Sequence, residues 1–377
     1  MTSTEHAASA MLAELRSRQA RLVEDLATLV GIESPSQDVV ATAAVCDAVS
    51  RLGADLLGAI PERHEVQGRT HLRWRLGGPT RVLLLMHADT VWPKGTTARW
   101  PFAVRDGRAS GPGVFDMKAG LIQGLHALSV LDDVEGVGVL VTTDEEIGSP
   151  SSQQLIEETA RGADAVLVLE PSAGGAVKTA RKGVAMFDLA VVGRAAHAGL
   201  EPERGVNAAV EMAHQILAIA QVGDPALGTT VTPTLASAGT TMNTVPGTAA
   251  VHVDVRVTRL DEAARVDAAL HALRPVLPDA RLELSGGVNR PPFQESASAA
   301  LFDRARRLAS ELGLEPLQSV IVGGGSDGNF TAALGVPTLD GLGAVGDGAH
   351  AEGEHVILGT VAERAALVAA LVADLLR

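Results

Sequence analysis

Leucines recur at helical spacing near the start of the chain, at Leu12, Leu15, Leu22, Leu26 and Leu29. This spacing predicts an amphipathic opening helix. Further along, apolar residues form short unbroken runs at residues 81–86, 136–141 and 164–169, with helical patterns between them. Because continuous apolar strands are typical of a sheet buried on both faces, the pattern predicts an α/β layer.

The pattern changes at Gly183 into strand, helix, strand, strand, helix and strand, which is the split βαβ arrangement. The segment "AVHVDVRV" alternates cleanly, as expected of a strand with one exposed face. The earlier helix-and-strand pattern then returns. We therefore predict an α/β domain in two parts, residues 1–182 and 289–377, with a smaller α+β domain inserted at residues 183–288.

Composition narrows the classes of protein to consider. A chain of 377 residues and 38.8 kDa is longer than one hydrophobic core usually supports. The net charge of -14 disfavours nucleic acid and anionic membranes as partners. Cys46 is the only cysteine, and no apolar run approaches the roughly 20 residues of a membrane helix. We expect a cytoplasmic protein that binds neither nucleic acid nor membrane, and we give Cys46 no role as a nucleophile.

Acidic residues or histidine follow three of the predicted strands. "LLLMHAD" supplies His87 and Asp89, "VLVTTDEE" supplies Glu145 and Glu146, and "VLVLEP" supplies Glu170. Ligands of open α/β sheets bind off the carboxyl ends of the strands. The sequence therefore predicts that these side chains converge at one edge of the sheet.

Two more candidates come from loops: Asp116 ends the Gly-rich turn "GPGVFD", and His350 lies in "GAVGDGAHAEGEHV", where His355 is its alternative. Carboxylates gathered at one edge repel each other unless a cation neutralises them. Imidazole and carboxylate ligands without cysteine suit zinc first, with manganese or cobalt as substitutes.

The other histidines are predicted to lie in the tail, in loops or on helix surfaces: His6, His64, His71, His126, His214 and His271.

Neighbouring acids in this set can divide the work. Asp89 points to the same side of its strand as His87 and could orient that ring. Of the adjacent pair Glu145 and Glu146, one can act as general base for an attacking water while the other binds metal.

The ordered motifs "HADTVWPKGTTARWPFAVRDGRASGPGVFDMKAG", "TTDEEIGS", "LEP", "GRAAHAG" and "GGGSDGN" resemble those of the co-catalytic zinc peptidase and deacylase family. This family includes glutamate carboxypeptidase, acetylornithine deacetylase, succinyl-diaminopimelate desuccinylase and aminoacylase. The run "DTVWPKGT" is most similar to the glutamate carboxypeptidase branch. The resemblance implies a mixed-sheet, zinc-exopeptidase-like catalytic domain with a ferredoxin-like lid and dimerisation domain.

The resemblance also implies a role for each candidate and two Zn²⁺ per subunit, with Co²⁺ or Mn²⁺ possible. Glu145 is then the general base and Asp89 supports catalysis. One metal is bound by His87 and Glu170, the other by Glu146 and His350, and both by Asp116.

Further positions are assigned to the substrate by the same resemblance. His197 of "GRAAHAG" reaches the partner's active site in a homodimer and, because the chain has no tyrosine, shares oxyanion stabilisation with Asn243. Arg256 and Lys178 match basic positions that face substrate carboxylates. Gly325 and Ser326 belong to a loop whose backbone N–H groups can meet a carboxylate.

The stretch "VGGGSDGN" also fits two unrelated motifs. Gly323, Gly325 and Gly328 match a dinucleotide fingerprint, but the helix that follows is too short. Ser326, Asp340 and His350 follow the order of a hydrolase triad, but too few residues separate the first two. Both motifs leave the upstream acids unexplained.

The predicted function is release of a C-terminal amino acid, glutamate favoured, from a folate-type or N-acyl glutamate substrate by a di-zinc metallo-carboxypeptidase. An N-acyl amino acid deacylase of the acetylornithine or succinyl-diaminopimelate type, or a small dipeptidase, is the alternative. A non-catalytic binding relative is the alternative from another class.

Overall fold

The computed structural model describes residues 3–377 of the chain, with side chains from residue 8 onward. The elements before the insertion are α1 (Ser3–Ser17), α2 (Gln19–Val30), α3 (Val39–Leu57), β1 (Glu62–Val66), β2 (Arg69–Leu76), β3 (Val82–His87), α4 (Thr96–Arg99), β4 (Ala103–Arg105), β5 (Arg108–Ser110), α5 (Ala119–Leu128), β6 (Val137–Thr142), α6 (Gln153–Ala160), β7 (Ala165–Val168) and β8 (Val177–Arg181).

The inserted elements are β9 (Gly183–Val192), β10 (Ala196–His197), α7 (Ala208–Ala220), β11 (Thr230–Ala238), β12 (Thr244–Val245), β13 (Thr248–Val257), α8 (Leu260–His271) and β14 (Arg281–Arg290). The last elements are α9 (Ala299–Glu311), β15 (Ser319–Val322), α10 (Gly328–Ala333), β16 (Thr338–Leu339), β17 (Gly346–Asp347), β18 (His355–Ile357) and α11 (Val361–Leu376).

The chain divides into two compact units. The first runs to Ala180 and resumes over Glu295–Val322 and Ser326–Arg377, and the second consists of Arg181–Gln294 with Gly323–Gly325. The limits of the insertion at residues 183–288 stay a prediction, and strand β14 itself continues to Arg290.

The first unit contains a mixed six-stranded sheet in the order β1-β2-β6-β3-β7-β16. β3 runs parallel to both β6 and β7, and β16 runs parallel to β7, whereas β2 is antiparallel to β6. The predicted α/β class is confirmed. Because four neighbouring strands share one direction, their carboxyl ends meet at one edge of the sheet.

Helices cover both faces of this sheet, as the unbroken apolar runs predict. Val82, Leu84 and Met86 of β3 belong to the large core cluster that also includes side chains of α2, α3, α5 and α11. Leu83 and Leu85 belong to a smaller cluster that includes residues of α6 and α10. Every residue of β3 and β6 is buried, so each strand packs on both faces.

The opening helix is interrupted at Arg18, where the backbone has φ -90° and ψ 10°, so the predicted single helix is two helices. The five predicted leucines are nonetheless all buried, which confirms the amphipathic face. Between residues 3 and 377, no helix combines the length and hydropathy that crossing a bilayer requires.

The second unit is a four-stranded antiparallel sheet in the order β11-β13-β9-β14, with α7 and α8 packed against it. Burial alternates along β13, where Val251, Val253 and Val255 are buried and His252 is exposed. The buried valines contact the helices and leave the other face of the sheet open. The topology is the split βαβ arrangement.

Candidate metal centre

Three parallel strands deliver the predicted acids and histidine to one edge of the first unit's sheet. β3 ends at His87, Glu145 and Glu146 follow β6 in a single 3₁₀ turn, and Glu170 follows β7. His87 is the last residue of its strand and the glutamates follow theirs within a few residues, so the strands place all four side chains at the same edge.

The first group of side chains that could hold a metal ion consists of His87, Asp116 and Glu170. Nε2 of His87 lies 3.3 Å from Oδ1 of Asp116 and 3.4 Å from Oε1 of Glu170. Only 2% of the His87 side chain and 9% of the Glu170 side chain are exposed. We call this pair of side chains, His87 and Glu170, the inner half of the centre.

The second group consists of Asp116, Glu146 and His350. Nε2 of His350 lies 2.9 Å from Oε2 of Glu146 and 3.4 Å from Oδ2 of Asp116. We call Glu146 and His350 the outer half. One carboxylate oxygen of Asp116 faces the inner half and the other faces the outer half. In each group, the candidate ligand atoms lie within 4.8 Å of one another.

Charges in the centre shift each other's pKa. Burial opposes protonation of His87, but the surrounding carboxylates, Asp116 foremost, raise its pKa well above the ordinary value. Contacts with Asp116 and Glu146 raise the pKa of His350 to about 10. Burial raises the pKa of Glu146 to about 7. The carboxylates therefore favour positive charge on the two histidines. A metal cation bound at the same place would neutralise these carboxylates instead.

The donor atoms themselves fit a metal. Nε2 of His87, Oδ1 of Asp116 and Oε1 of Glu146 are buried and make no hydrogen bond. Buried polar atoms without a partner are rare in folded proteins and indicate an unfilled interaction. Their imidazole and carboxylate chemistry suits zinc, manganese or cobalt, as the sequence predicts.

Asp89 is buried behind both halves of the centre. Its Oδ1 lies 3.4 Å from Nδ1 of His87, and its carboxylate accepts the backbone N–H groups of Glu145 at 3.3 Å and Glu146 at 3.2 Å. The hydroxyl of Ser36 donates to it at 2.7 Å. Nδ1 of His87 lies 3.1 Å from the backbone carbonyl oxygen of Asp89, so Asp89 orients this ring mainly through its main chain, while its carboxylate fixes the turn that carries both glutamates.

Sequence reasoning missed Glu354, a fully buried acid four residues after His350. Its carboxylate accepts the backbone N–H groups of Gly113 at 3.0 Å, Phe115 at 2.8 Å and Asp116 at 2.9 Å. The indole N–H of Trp92 also donates to it, at 2.8 Å. Glu354 therefore holds the turn that presents Asp116, and its only sequence signal is a second acid close after a candidate histidine.

The turn before Asp116 requires glycine at position 113. Gly113 has φ +72°, and a Cβ atom there would lie 2.4 Å from the side-chain methyl of Thr90. Any larger residue would clash with Thr90 and disturb the turn that carries Asp116.

The serine-hydrolase reading of "GGGSDGN" finds no support in the contacts. Ser326 is buried and donates to Oδ2 of Asp340 at 2.6 Å, and its N–H donates to Asn329 at 2.9 Å. His350 faces the carboxylates of the outer half instead. The helix after the glycines, α10, has only six residues, which also disfavours a dinucleotide site.

Two further candidates of the first unit can be placed. Nζ of Lys178 lies 4.0 Å from Oε2 of Glu170, beside the inner half. His355 lies in β18 with its Nδ1 3.0 Å from the carbonyl oxygen of Gly353, and neither metal-binding group includes it.

The remaining candidates lie in the second unit. Strands β10 and β12 pair, and the backbone N–H of Ala198 donates to the backbone carbonyl of Asn243 at 2.9 Å. His197 and Asn243 are therefore near each other, and both are exposed. The guanidinium of Arg256 binds the carboxylate of Asp254, with Nη2 and Oδ2 2.8 Å apart. Gly325 accepts a hydrogen bond from Arg181 through its carbonyl at 3.3 Å.

Three predictions about the other histidines are wrong: His64 lies in strand β1, and two more are buried. His71 and His126 are fully buried, because β2 lies inside the sheet and α5 is covered on all sides. Nε2 of His126 contacts Asp25 at 2.8 Å, and that of His71 contacts Ser151 at 3.0 Å. The side chain of His6 lies outside the described residues.

The family model described as peptidase family M20/M25/M40 matches residues 83–374, so the chain belongs to this family. It is a metal-dependent family of hydrolases, and the chain is an enzyme that acts on amide bonds. The matched residues include the candidate ligands of both halves and the whole inserted segment of the chain.

Several relatives are similar over most of their length. Carboxypeptidase G2 of Pseudomonas sp. (strain RS-16) is 35% identical over 79% of this chain and 74% of its own. Succinyl-diaminopimelate desuccinylase 1 of Alteromonas mediterranea is 26% identical over 83% of this chain and 87% of its own. The solved M20-family metallo-carboxypeptidase of Sulfolobus solfataricus has a TM-score of 0.75 at 16% identity, over 93% of this chain and 98% of its own, and shows the shared fold.

Proposed function

We propose that the protein is a di-zinc carboxypeptidase that releases a C-terminal amino acid, with glutamate favoured, from folate-type or N-acyl glutamate substrates. The observation that carries this proposal is the single carboxylate of Asp116 shared by two groups that each have their own histidine. The similarity to carboxypeptidase G2 supports the choice of leaving group.

In this proposal the chain's residues divide the chemistry. Bound zinc ions would polarise the scissile carbonyl and acidify a water. Glu145 takes the proton of that water and gives it to the leaving amine. Asp89 keeps Glu145 in place through the backbone N–H that it accepts at 3.3 Å. Lys178, beside Glu170, attracts the free carboxylate of the substrate.

The second unit supplies substrate contacts in the same proposal. Nδ1 of His197 accepts the N–H groups of Gly199 and Leu200, both at 3.1 Å, so the neutral ring carries its proton on Nε2. A ring held in that tautomer is a ready donor to an oxyanion, with Asn243 beside it.

Carboxylate recognition by Arg256 requires that it exchange Asp254 for the substrate. Of the loop residues, Ser326 already uses both its hydroxyl and its N–H inside the protein, so Gly325 is the better backbone candidate of the two.

The proposal includes a homodimer in which His197 serves the partner's centre. β11 is an edge strand of the second sheet, and its Leu235 is 64% exposed. An edge strand with exposed apolar side chains is a surface suited to pairing with a second copy. A cytoplasmic location also stays a prediction, supported by the single, buried Cys46.

A substrate panel tests the function. Zinc-loaded enzyme is expected to release glutamate from folate-type and N-acyl glutamates faster than it cleaves acyl ornithine, acyl diaminopimelate or plain dipeptides, measured as kcat/KM. Preference for one of the latter would support the deacylase or dipeptidase alternative. Cleavage of none, at full metal loading, would favour a binding protein. Chelation should abolish the activity, and zinc, cobalt or manganese should restore it.

Mixing two inactive variants tests the dimer. Glu145→Gln and His197→Ala dimers should recover activity when subunits exchange, because each heterodimer contains one site with both groups intact. No recovery after proven exchange would show that His197 does not serve its partner.

A further inference from the structure

Arg364, the fourth residue of α11, carries a buried positive charge. Only 5% of the residue is exposed, and burial lowers the pKa of its guanidinium to about 10, which leaves it protonated at neutral pH. Its hydrogen bonds to the described residues all go to backbone carbonyls. Nε donates to Gly343 at 3.0 Å and to Leu342 at 3.2 Å. Nη2 donates to Gly341 at 2.5 Å, and Nη1 donates to Gly175 at 3.2 Å.

This environment is unusual for an arginine. A buried charge is costly unless a partner compensates it, and an apolar side chain of similar size often replaces it without loss of stability. None of the acidic side chains described between residues 8 and 377 forms an ion pair with Arg364. The guanidinium offers instead a rigid fork of five N–H donors, which no other side chain reproduces. The fork, rather than an ion pair, accounts for a cation at this position.

Three of the bound carbonyls belong to residues 341–343, which follow β16 and which we call the anchor segment. The N–H of Gly343 donates to the carbonyl of Glu170 at 3.0 Å. A Cβ atom at Gly343 would lie 2.1 Å from the carbonyl oxygen of Leu169, so only glycine allows this close approach. The anchor segment therefore lies directly against the backbone of a candidate ligand.

The fourth carbonyl belongs to Gly175, in the loop that follows Glu170. Ser172 of this loop donates to the carbonyl of Ala344 through its N–H at 2.9 Å and through its hydroxyl at 2.8 Å. Arg364 thus binds one carbonyl of the loop and three of the anchor segment. It joins two pieces of backbone that both adjoin Glu170.

We propose that Arg364 is a positioning residue for the candidate metal centre: its guanidinium holds the backbone at Glu170 and so prepares the inner half to bind metal. This inference rests on the proposed function. His350 comes seven residues after Gly343, but β17 lies between them and pairs with β18, which gives the outer half a support of its own. Loss of Arg364 should therefore affect the inner half first.

Arg364→Met tests the proposal, because methionine keeps a long, unbranched side chain but has no N–H donor. The affinity for the first equivalent of Zn²⁺, measured by chelator competition, is expected to fall about fivefold or more. Leu371→Ala is the control, since Leu371 is fully buried in the same helix. It should lower Tm but change the Zn²⁺ affinity by less than about twofold. Wild-type affinity in Arg364→Met would overturn the proposal, as would an equal loss in Leu371→Ala.

A second variant covers the case in which Arg364→Met does not fold. Arg364→Lys keeps the positive charge, but a single ammonium group does not reproduce the fork that binds the loop and the anchor segment together. A loss of about threefold or more in the same Zn²⁺ affinity is expected. Wild-type affinity in Arg364→Lys would overturn the proposal.

Hydrogen exchange on metal-free protein separates this inference from the proposed function. In the folded Arg364 variant, the backbone N–H groups of Gly343 and Ser172 are expected to exchange about tenfold faster or more, relative to those of β6. If wild-type protein binds Zn²⁺ but cleaves no amide, the proposed function fails, and the Zn²⁺ affinities still decide the role of Arg364. If it binds no metal, the exchange rates decide whether Arg364 holds the backbone at Glu170, and unchanged relative rates would overturn the proposal.

Discussion

The inner and outer halves of the candidate metal centre offer the same types of ligand but are built differently. The inner half places His87 at the end of a buried strand, with 2% of its side chain exposed. The outer half takes His350 from a loop, with 52% of its side chain exposed and a left-handed backbone at φ 62°. The sheet thus fixes one half, and a surface loop completes the other.

The difference shows which contacts hold the candidate ligands in place. Nδ1 of His87 lies 3.1 Å from the backbone carbonyl oxygen of Asp89 and 3.4 Å from its buried carboxylate, so the inner histidine is held by Asp89. Asp89 reaches the outer half only through the backbone N–H of Glu146. Partners that orient a ligand strengthen metal binding. The inner half is therefore expected to be the tighter site, with Asp116 tying the two together.

Asp116→Asn is expected to have the largest effect, because it weakens both halves at once. A neutral amide is a poor bridge between dications, so kcat should fall by about three orders of magnitude, equivalent to about 4 kcal/mol. Metal content measured by atomic absorption should drop in both sites. Retention of one full equivalent of metal would show that the halves do not depend on a shared carboxylate.

Glu145→Gln should separate the proposed base from the outer half. The variant keeps a similar shape but cannot take a proton from water, so kcat should fall about 100-fold or more while metal content stays near normal. Its matched partner Glu146→Gln should instead lose metal from the outer half. Metal loss in Glu145→Gln with full loading of Glu146→Gln would reverse the two assignments.

The ligands that follow strands, which are both residues of the inner half and Glu146 of the outer half, were the easier part to anticipate from sequence. Unbroken apolar runs identify buried parallel strands, and the rule that their carboxyl ends meet places His87, Glu146 and Glu170 at one edge. The outer histidine carries no such signal, because a loop can turn His350 or His355 toward the edge. Family motifs, rather than strand geometry, single out His350 and Asp116 in the sequence.

Supporting contacts were harder to predict because they depend on tertiary packing. Glu354 reads as one more acid in a polar loop, yet it is buried under the turn of Asp116. Ser326 lies in a glycine-rich, apparently open loop, yet Asp340 holds its hydroxyl inside the fold. Side-chain partners far apart in the chain leave no periodicity, so composition and spacing do not reveal them.

Glu354→Gln should loosen the turn that carries Asp116, the residue that both halves share. Its amide presents a donor to a pocket of N–H donors, and an unmet buried hydrogen bond costs about 1–3 kcal/mol. We expect metal affinity to fall about tenfold and Tm to decrease, measured by chelator competition and calorimetry. Glu352→Gln, two residues away and exposed, is the matched control and should leave both unchanged. Normal affinity in Glu354→Gln would show that the Asp116 turn holds its position without this carboxylate.

The smallest expected effect is the difference between the two halves themselves. Ligands must lose their protons to bind metal, and neighbouring carboxylates raise the pKa of both His87 and His350, so proton loss does not distinguish the two halves. Because His350 is half exposed and on a loop, whereas Asp89 orients His87, the outer ion should dissociate first, with a Kd about tenfold weaker. Stepwise chelator titration should then show activity lost with the first equivalent removed. His350→Ala should retain one tightly bound ion that His87→Ala does not. Loss of both ions in a single step, or a tighter ion in His87→Ala, would mean that the buried strand end confers no advantage on the inner half.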